Sequence, residues 1–290
     1  MIVGHIAQIW RHPVKSMQGE RLEAAQVGKQ GIPGDRGWAV RDEVRGGIRG
    51  AKKIPALMKC AARYLEEPGE DGALLPAPEI TLPNGERLRA NAEDAAERLS
   101  RALDWRVTLW PLQPASDLDH YRRGKPDSDD VPTELRAIFG REANEPLPDF
   151  SVMPREVFEF ESPPGTYFDL DPLLLVTDAT LRSLQRVAPA SRVDVRRFRP
   201  NFVVAMSDGA TDPFPEIAWA GKRLRIGGAA IAATIACPRC VMITHAFADL
   251  PRDPGLMRVV VREANQHVGV YARVAASGPV RVGDAVEIED

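Results

Sequence analysis

Apolar positions along the chain come mostly in short runs, broken by glycine, proline and acidic residues. Few stretches carry the i, i+3, i+4 spacing of an amphipathic helix. His5-Ile-Ala-Gln-Ile-Trp-Arg-His-Pro-Val14 reads as a strand with loose alternation, its reach limited by Pro13. The turn formers Gly31-Ile-Pro-Gly-Asp-Arg-Gly37 lead into a second short strand, Trp38-Ala-Val-Arg41. Asn84-Gly85, between Ile80-Thr-Leu82 and Arg87-Leu-Arg89, predicts a hairpin because both residues tolerate positive φ. A helix is expected over 92–104, with Asn91 as its N-cap and Ala92, Ala95, Ala96, Leu99, Ala102 and Leu103 on one face. The strand Arg106-Val-Thr-Leu-Trp110 follows.

From Pro111 to Pro164 the chain is rich in proline and acidic residues and reads as a connection between two units, with a short helix near 133–139. Beyond it, Leu173-Leu-Leu-Val-Thr177 predicts a strand and 178–187 a helix with Leu181, Leu184 and Val187 on one side. Strands are expected at 201–206, 223–226, 230–235, 267–274 and 280–288, with turns at Gly278-Pro279 and Gly283-Asp284. A last helix begins at Pro254, since proline suits the first turn. Strands outnumber helices in an irregular order, which excludes a doubly wound α/β chain. The expected class is mainly β with peripheral helices (α+β), built on a β-barrel-like core. The expected division is a smaller N-terminal barrel-like unit over 1–110, a connection over 111–164 and a second barrel unit over 165–290.

Composition changes this picture little. The 290 residues are 44% hydrophobic and 27% charged, with a net charge of −3, so no global field draws the chain to nucleic acid or an anionic membrane. The start lacks the basic, apolar pattern of a secretory leader. The longest uncharged apolar run, 227–237, is shorter than a span of about 20 residues. Three cysteines argue against a disulfide framework and fit a reducing cytoplasm.

Two of those cysteines lie in Ala233-Thr-Ile-Ala-Cys-Pro-Arg-Cys-Val-Met-Ile-Thr-His245. A redox pair needs its first cysteine at a helix N-terminus, whereas β-branched residues predict extended chain on both sides of Pro238-Arg239. A structural zinc site needs four ligands; Cys60 sits alone in an apolar stretch and no histidine pair completes the set. Two buried thiols would be the plain alternative, but Arg239 between them calls for an anion or solvent. One thiolate could instead complete a metal centre whose other donors belong to an organic cofactor. That requires an anion-binding pocket, for which His12-Pro-Val-Lys-Ser-Met17, Gly34-Asp-Arg-Gly-Trp38 and Arg196-Arg-Phe-Arg-Pro-Asn201 are candidates.

Taken in order, His12-Pro-Val-Lys-Ser-Met-Gln-Gly-Glu20, Pro33-Gly-Asp-Arg-Gly-Trp-Ala-Val40, Val193-Asp-Val-Arg-Arg-Phe-Arg-Pro-Asn-Phe-Val-Val204, Ala236-Cys-Pro-Arg-Cys-Val-Met-Ile-Thr-His245 and Val280-Arg-Val-Gly-Asp-Ala-Val-Glu-Ile288 resemble the MOSC family. The family takes its name from the C-terminal domain of molybdenum cofactor sulfurase. With its N-terminal barrel, the arrangement is similar to that of the amidoxime-reducing branch.

The resemblance implies that Cys240 ligates molybdenum and that the pyranopterin dithiolene supplies further sulfur. It implies that Lys15, Ser16 and Arg36 hold the cofactor's phosphate and pterin, a task suited to an ammonium, a hydroxyl and a guanidinium fork. Arg199 and Asn201 would meet the pterin edges, with Arg197 and Arg239 as weaker candidates. Asp169 would lie beside the metal and hold water or relay a proton. Thr177 and Thr180 fall at a helix start, where they either cap the helix or contact the cofactor.

Two departures stand out. After the cysteines, relatives of the animal reductase continue Thr-Thr-Val-Asp-Pro; Thr244 is retained here and the acidic residue is displaced. Three cysteines cannot hold an iron–sulfur cluster, so electrons would come from a separate ferredoxin-, flavodoxin- or reductase-type protein. The implied activity is cytoplasmic reduction of N-hydroxylated or N-/S-oxygenated small molecules. The alternative is a carrier that delivers the cofactor, or sulfur on Cys240, to another enzyme.

Overall fold

In the computed structural model, residues 1–69, 75–207 and 211–289 are described. The N-terminal part runs through β1 (Ile2–Arg11), β2 (Glu20–Leu22), β3 (Ala24–Val27), β4 (Trp38–Asp42), β5 (Ala61–Arg63), β6 (Glu79–Thr81), β7 (Arg87–Arg89), α1 (Ala95–Leu103) and β8 (Val107–Pro111). Three short helices follow: α2 (Leu118–Tyr121), α3 (Val131–Phe139) and α4 (Glu156–Glu159). The rest comprises β9 (Leu173–Thr177), α5 (Asp178–Val187), β10 (Phe202–Met206), β11 (Arg223–Ile226), β12 (Ala229–Pro238), α6 (Pro254–Glu263), β13 (His267–Ala276), β14 (Gly278–Arg281) and β15 (Ala285–Glu289). The class is mainly β, as the pattern predicts.

Seven strands close a barrel in the order β1-β10-β9-β13-β12-β11-β15, with β15 returning to β1 and β2 attached outside it. Closure removes the open edges that a sheet of this size would otherwise expose. Every pair around the ring is antiparallel except β9–β10, which α5 joins as a crossover. Ile6, Ile9, Phe202, Leu224, Ile231 and Val270 pack inside with essentially no exposure. All five residues of β9 are buried, because Leu173 and Leu175 face the barrel interior while Val176 faces α5 and α6. That two-sided burial explains why its sequence is an unbroken apolar run.

The first three strands belong to the barrel side. β1 completes the barrel otherwise built from the C-terminal part, pairing with β10 and β15, while β2 pairs with β1 and β3 with β14. The N-terminal elements from β4 to β8 form a separate core around Met17, Val40, Leu57, Met58, Ile80 and Leu99. β4 pairs with β8 there, and β5, β6 and β7 make a small sheet. The Asn84-Gly85 hairpin forms as expected between β6 and β7, with Gly85 at φ +85°. Met242, Phe247 and Leu250 join this core from beyond the second cysteine, so the cysteine loop is pinned at the seam between the two cores.

Local details depart from the sequence reading in three places. α1 begins at Ala95 behind Asp94, because Ala92 N–H and Ala95 N–H are taken up by turn bonds to the Arg89 and Ala92 carbonyls. Gly278 lies inside β14 and the chain breaks at Ser277 instead. The segment expected to be extended after Cys240 forms a 3-10 turn, Val241–Thr244, in which Thr244 Oγ1 donates to Val241 O at 2.7 Å. Tertiary packing of Met242 and Ile243 into two different cores overrides the β propensity of that run.

Candidate cofactor cleft

A cleft of about 490 Å³ opens where the barrel, the second core and the segment 123–161 meet. Lys15, Ser16, Arg36, Asp169, Arg199, Asn201, Arg239 and Cys240 all line it. Residues far apart in sequence converge because the His12–Met17 turn follows β1 while Arg199–Asn201 precedes β10, and these two strands are paired.

Three of the lining residues hold left-handed backbone without being glycine: Ser16 at φ +70°, Arg36 at φ +49° and Arg199 at φ +56°. Such conformations cost on the order of 1 kcal/mol each and persist only where surroundings enforce them. The enforcement is visible in the bonds. Arg36 N donates to His12 O at 2.7 Å, and Arg36 Nη2 donates to Arg199 O at 3.1 Å. Ser16 Oγ accepts from Ala51 N at 2.9 Å, which leaves its own hydroxyl proton free to donate. A methyl group on Gly50 would come 2.7 Å from that oxygen, so glycine is needed for the approach.

The cleft floor is strongly basic. Lys15 Nζ donates to Tyr167 O at 2.9 Å and to Asp169 Oδ1 at 3.0 Å, and Lys52 Nζ reaches the same carboxylate oxygen at 3.2 Å. Burial alone would raise the Asp169 carboxyl, but Lys15 and Lys52 outweigh it and hold it well below the usual range. Burial pushes the Lys15 ammonium down against the attraction of Asp169. For Lys52 the nearby Asp169 and Cys240 overcome burial and push it up. Arg199 is pushed down to about 9, by burial first and then by Arg36. A buried guanidinium so disfavoured is one that an incoming anion would relieve.

The predicted residues divide into three groups. Lys15, Ser16, Arg36, Arg199 and Asp169 present groups to the cleft. Asn201 lines it, but its amide is committed to the protein, donating to Asp35 Oδ2 at 2.9 Å and accepting from Leu174 N at 3.1 Å. It steadies Asp35, which also pairs with Arg36. Arg197 is likewise spent: its guanidinium donates to the carbonyls of Arg192, Ile243, His245 and Pro251, clipping the cysteine loop to its neighbours. Thr177 and Thr180 lie away from the cleft. Thr177 Oγ1 accepts from Thr180 N at 3.1 Å as a helix cap, and both hydroxyls donate to buried Glu216, at 2.7 and 2.6 Å. Their place is set by the parallel β9–β10 pair, which points the start of α5 away from the basic floor.

The two cysteines sit in different surroundings. Cys240 is half-buried at the cleft and packs against the N-terminal core. Cys237 is fully buried, and Arg239 Nη1 donates to its sulfur at 3.0 Å; Tyr271 lines the cleft beside it. Burial pushes the Cys237 thiol up despite Arg239. Arg239 thus finds its partner in that sulfur and in Phe198 O at 2.7 Å, while its Nε has none. Sequence reasoning missed Lys52 and Tyr271. Ala51-Lys-Lys53 carries no spacing that separates a cleft lysine from a solvated one, and Tyr271 is one of several aromatic residues in apolar strands.

Among the described residues, no group of three or more histidine, cysteine or acidic side chains could hold a metal alone. One accessible thiol, a basic floor short of anions and an unpartnered Arg239 Nε instead suit a phosphorylated organic group that brings its own metal donors. A closed barrel joined to a second, N-terminal β unit, with a basic cleft between them, is the architecture of a two-part β-barrel protein. Residues 165–287 match the MOSC domain and residues 3–113 the MOSC N-terminal beta barrel domain. The chain belongs to the MOSC family, which is associated with molybdenum cofactor binding. It is 23% identical to mitochondrial amidoxime reducing component 2 from Bos taurus and 26% identical to that from Homo sapiens, in each case over 98% of this chain and 83% of the relative. Among solved structures it is similar to the YuaD protein from Bacillus subtilis, at 12% identity and a TM-score of 0.44, over 99% of this chain and 95% of that one. No helix among the described residues is long and apolar enough to cross a membrane.

Proposed function

We propose that this chain binds the molybdenum cofactor in the basic cleft, with Cys240 as the protein's ligand, and reduces N-hydroxylated or other N- or S-oxygenated small molecules. The observation that carries the reading is the convergence of Lys15, Ser16, Arg36 and Arg199 on one side of a cleft that also exposes Cys240 and Asp169. The cofactor, when bound, supplies the two-electron chemistry of oxygen removal. The chain's own work is to hold and orient. Arg36 and Arg199 offer guanidinium forks to phosphate, and Ser16 offers a hydroxyl proton. Cys237 is a packing partner for Arg239 rather than a second ligand.

Asp169 stays ionised between Lys15 and Lys52, so at neutral pH it accepts hydrogen bonds and does not donate a proton. Its role is to orient the substrate's N–OH group or a water, while the Lys15 ammonium beside it, pushed down by burial, is the proton source. Electrons come from a separate protein of the ferredoxin, flavodoxin or reductase type.

The test is molybdenum analysis of the purified chain beside Cys240→Ser and Cys237→Ser, together with reduction of benzamidoxime by an artificial donor. The reading expects near one metal per chain, lost in the first variant and kept in the second, with turnover in the loaded wild type. A loaded protein that is inert and hands its cofactor to an apo-enzyme would establish the carrier role instead.

A further inference from the structure

No side chain of α3 or α4 is fully buried; Leu135, Ile138 and Phe139 of α3 and Val157 of α4 are half-buried, and Phe158 of α4 is exposed. A helix normally buries its apolar stripe against the core. Here Leu135, Ile138, Phe139, Phe150 and Phe158 instead line the cleft that holds Cys240 and the basic floor. Phe150 links the two helices by edge-on contacts, its ring 5.6 Å from Phe139 and 5.8 Å from Phe158. Phe158 remains 54% exposed.

Polar contacts also tie this wall to the rest of the chain. Glu134 pairs with Lys53, Glu145 accepts from Arg258 at 2.5 Å, and Arg141 Nε donates to Gln266 at 3.1 Å. The wall also abuts the thiol loop. Gly140, which ends α3 at φ +61°, packs so closely that a methyl group there would lie 3.3 Å from Val241, the residue after Cys240. The wall lies in residues 114–164, between the two family matches.

We infer that Leu135, Ile138, Phe139, Phe150 and Phe158 form a subsite for the uncharged aromatic body of the substrate, whose oxygenated nitrogen then points toward Cys240 and Asp169. The inference rests on the proposed reductase reading for the head group. The wall itself fixes the body. Edge-on rings offer an aromatic ligand further ring contacts, and the apolar area that the half-buried wall and exposed Phe158 still present to the cleft is covered when a ligand binds. A small aliphatic substrate would reach the same floor without touching the wall.

Ile138→Ser and Phe158→Ala, one on each helix, test this in the cofactor-loaded chain. Calorimetry measures binding of benzamidoxime and acetamidoxime, and steady-state reduction with an artificial donor gives KM and kcat. The expected result is a rise of about 5- to 10-fold in Kd and KM for benzamidoxime, with acetamidoxime changed less than twofold and kcat nearly constant. Unchanged benzamidoxime affinity, or equal losses for both ligands, would overturn the subsite, as would a wild type that binds neither. If the wild type binds both and reduces neither, the reductase reading fails, and the binding ratio alone decides the subsite.

Discussion

The two walls of the cleft are built on opposite plans. The basic floor hangs from turns between paired barrel strands, and its key residues are locked by strained backbone and by a network through Asp35 and Asn201. The apolar wall comes from a proline-rich segment whose helices leave their apolar side chains only half-buried and are tethered by ion pairs and hydrogen bonds. The difference teaches where each part of a binding event is decided. Rigid, preorganised donors suit an anion held permanently, because their cost is met once in folding. Loosely supported apolar surface suits a ligand that comes and goes.

The sharpest way to break this comparison is at the floor. Cys240→Ser should lower bound molybdenum to below about a tenth of wild type, since one thiolate is the sole protein donor proposed; Cys237→Ser should retain most of it. Equal losses in a metal assay would dissolve the distinction between the two cysteines. Next is Gly50→Ala, whose new methyl group collides with Ser16 Oγ. We expect a destabilisation of about 1–3 kcal/mol in urea unfolding, with weaker cofactor retention. A neutral outcome would show that the floor is less rigid than its geometry implies.

pH separates the floor from a buried carboxyl outside it. Asp169 is held low, so its contribution to stability is complete above the unfolded value of about 4 and is lost as pH falls through the folded value. Glu216 has the opposite sign. Burial raises it against the two threonine donors, so its contribution is complete below about 4 and is lost as pH rises through its folded value. Glu216→Gln should therefore gain stability over wild type as pH is raised from 5 to 8, and Asp169→Asn should flatten the acid side of the same urea-midpoint profile. Parallel profiles would refute the assignment.

The smallest effect belongs to the wall. Phe158→Ala should change unfolding free energy by less than about 0.5 kcal/mol, as expected for an exposed side chain, and Ile138→Ser, at a half-buried position, by about 1 kcal/mol. A loss of several kcal/mol would mean that the wall is core and not ligand surface.

Much of this molecule was legible one residue at a time. The hairpin at Asn84-Gly85, the unbroken apolar run of β9, the start of α6 at Pro254 and the basic motifs around Lys15, Arg36 and Arg199 follow from local stereochemistry and from recognisable residue patterns. Pattern alone could not tell which basic groups would be consumed by the fold. Arg197 and Arg199 are two residues apart, yet one is spent on four carbonyls and the other faces the cleft. Thr177 and Thr180 match a motif position and still cap a helix that points elsewhere. Lys52 and Asp169 are 117 positions apart, and only the fold brings them within 3.2 Å.

The sequence by itself determined the strand-rich class and the family pattern, because those depend on residue type and short spacing. Tertiary structure decided that β1 closes a barrel made by the other end of the chain, that the cysteine loop is wedged between two cores, and that residues 114–164 turn an apolar face toward the cleft. Each of those depends on contacts between residues more than a hundred positions apart, where local preference carries no information and only the burial of shared surface selects the partner.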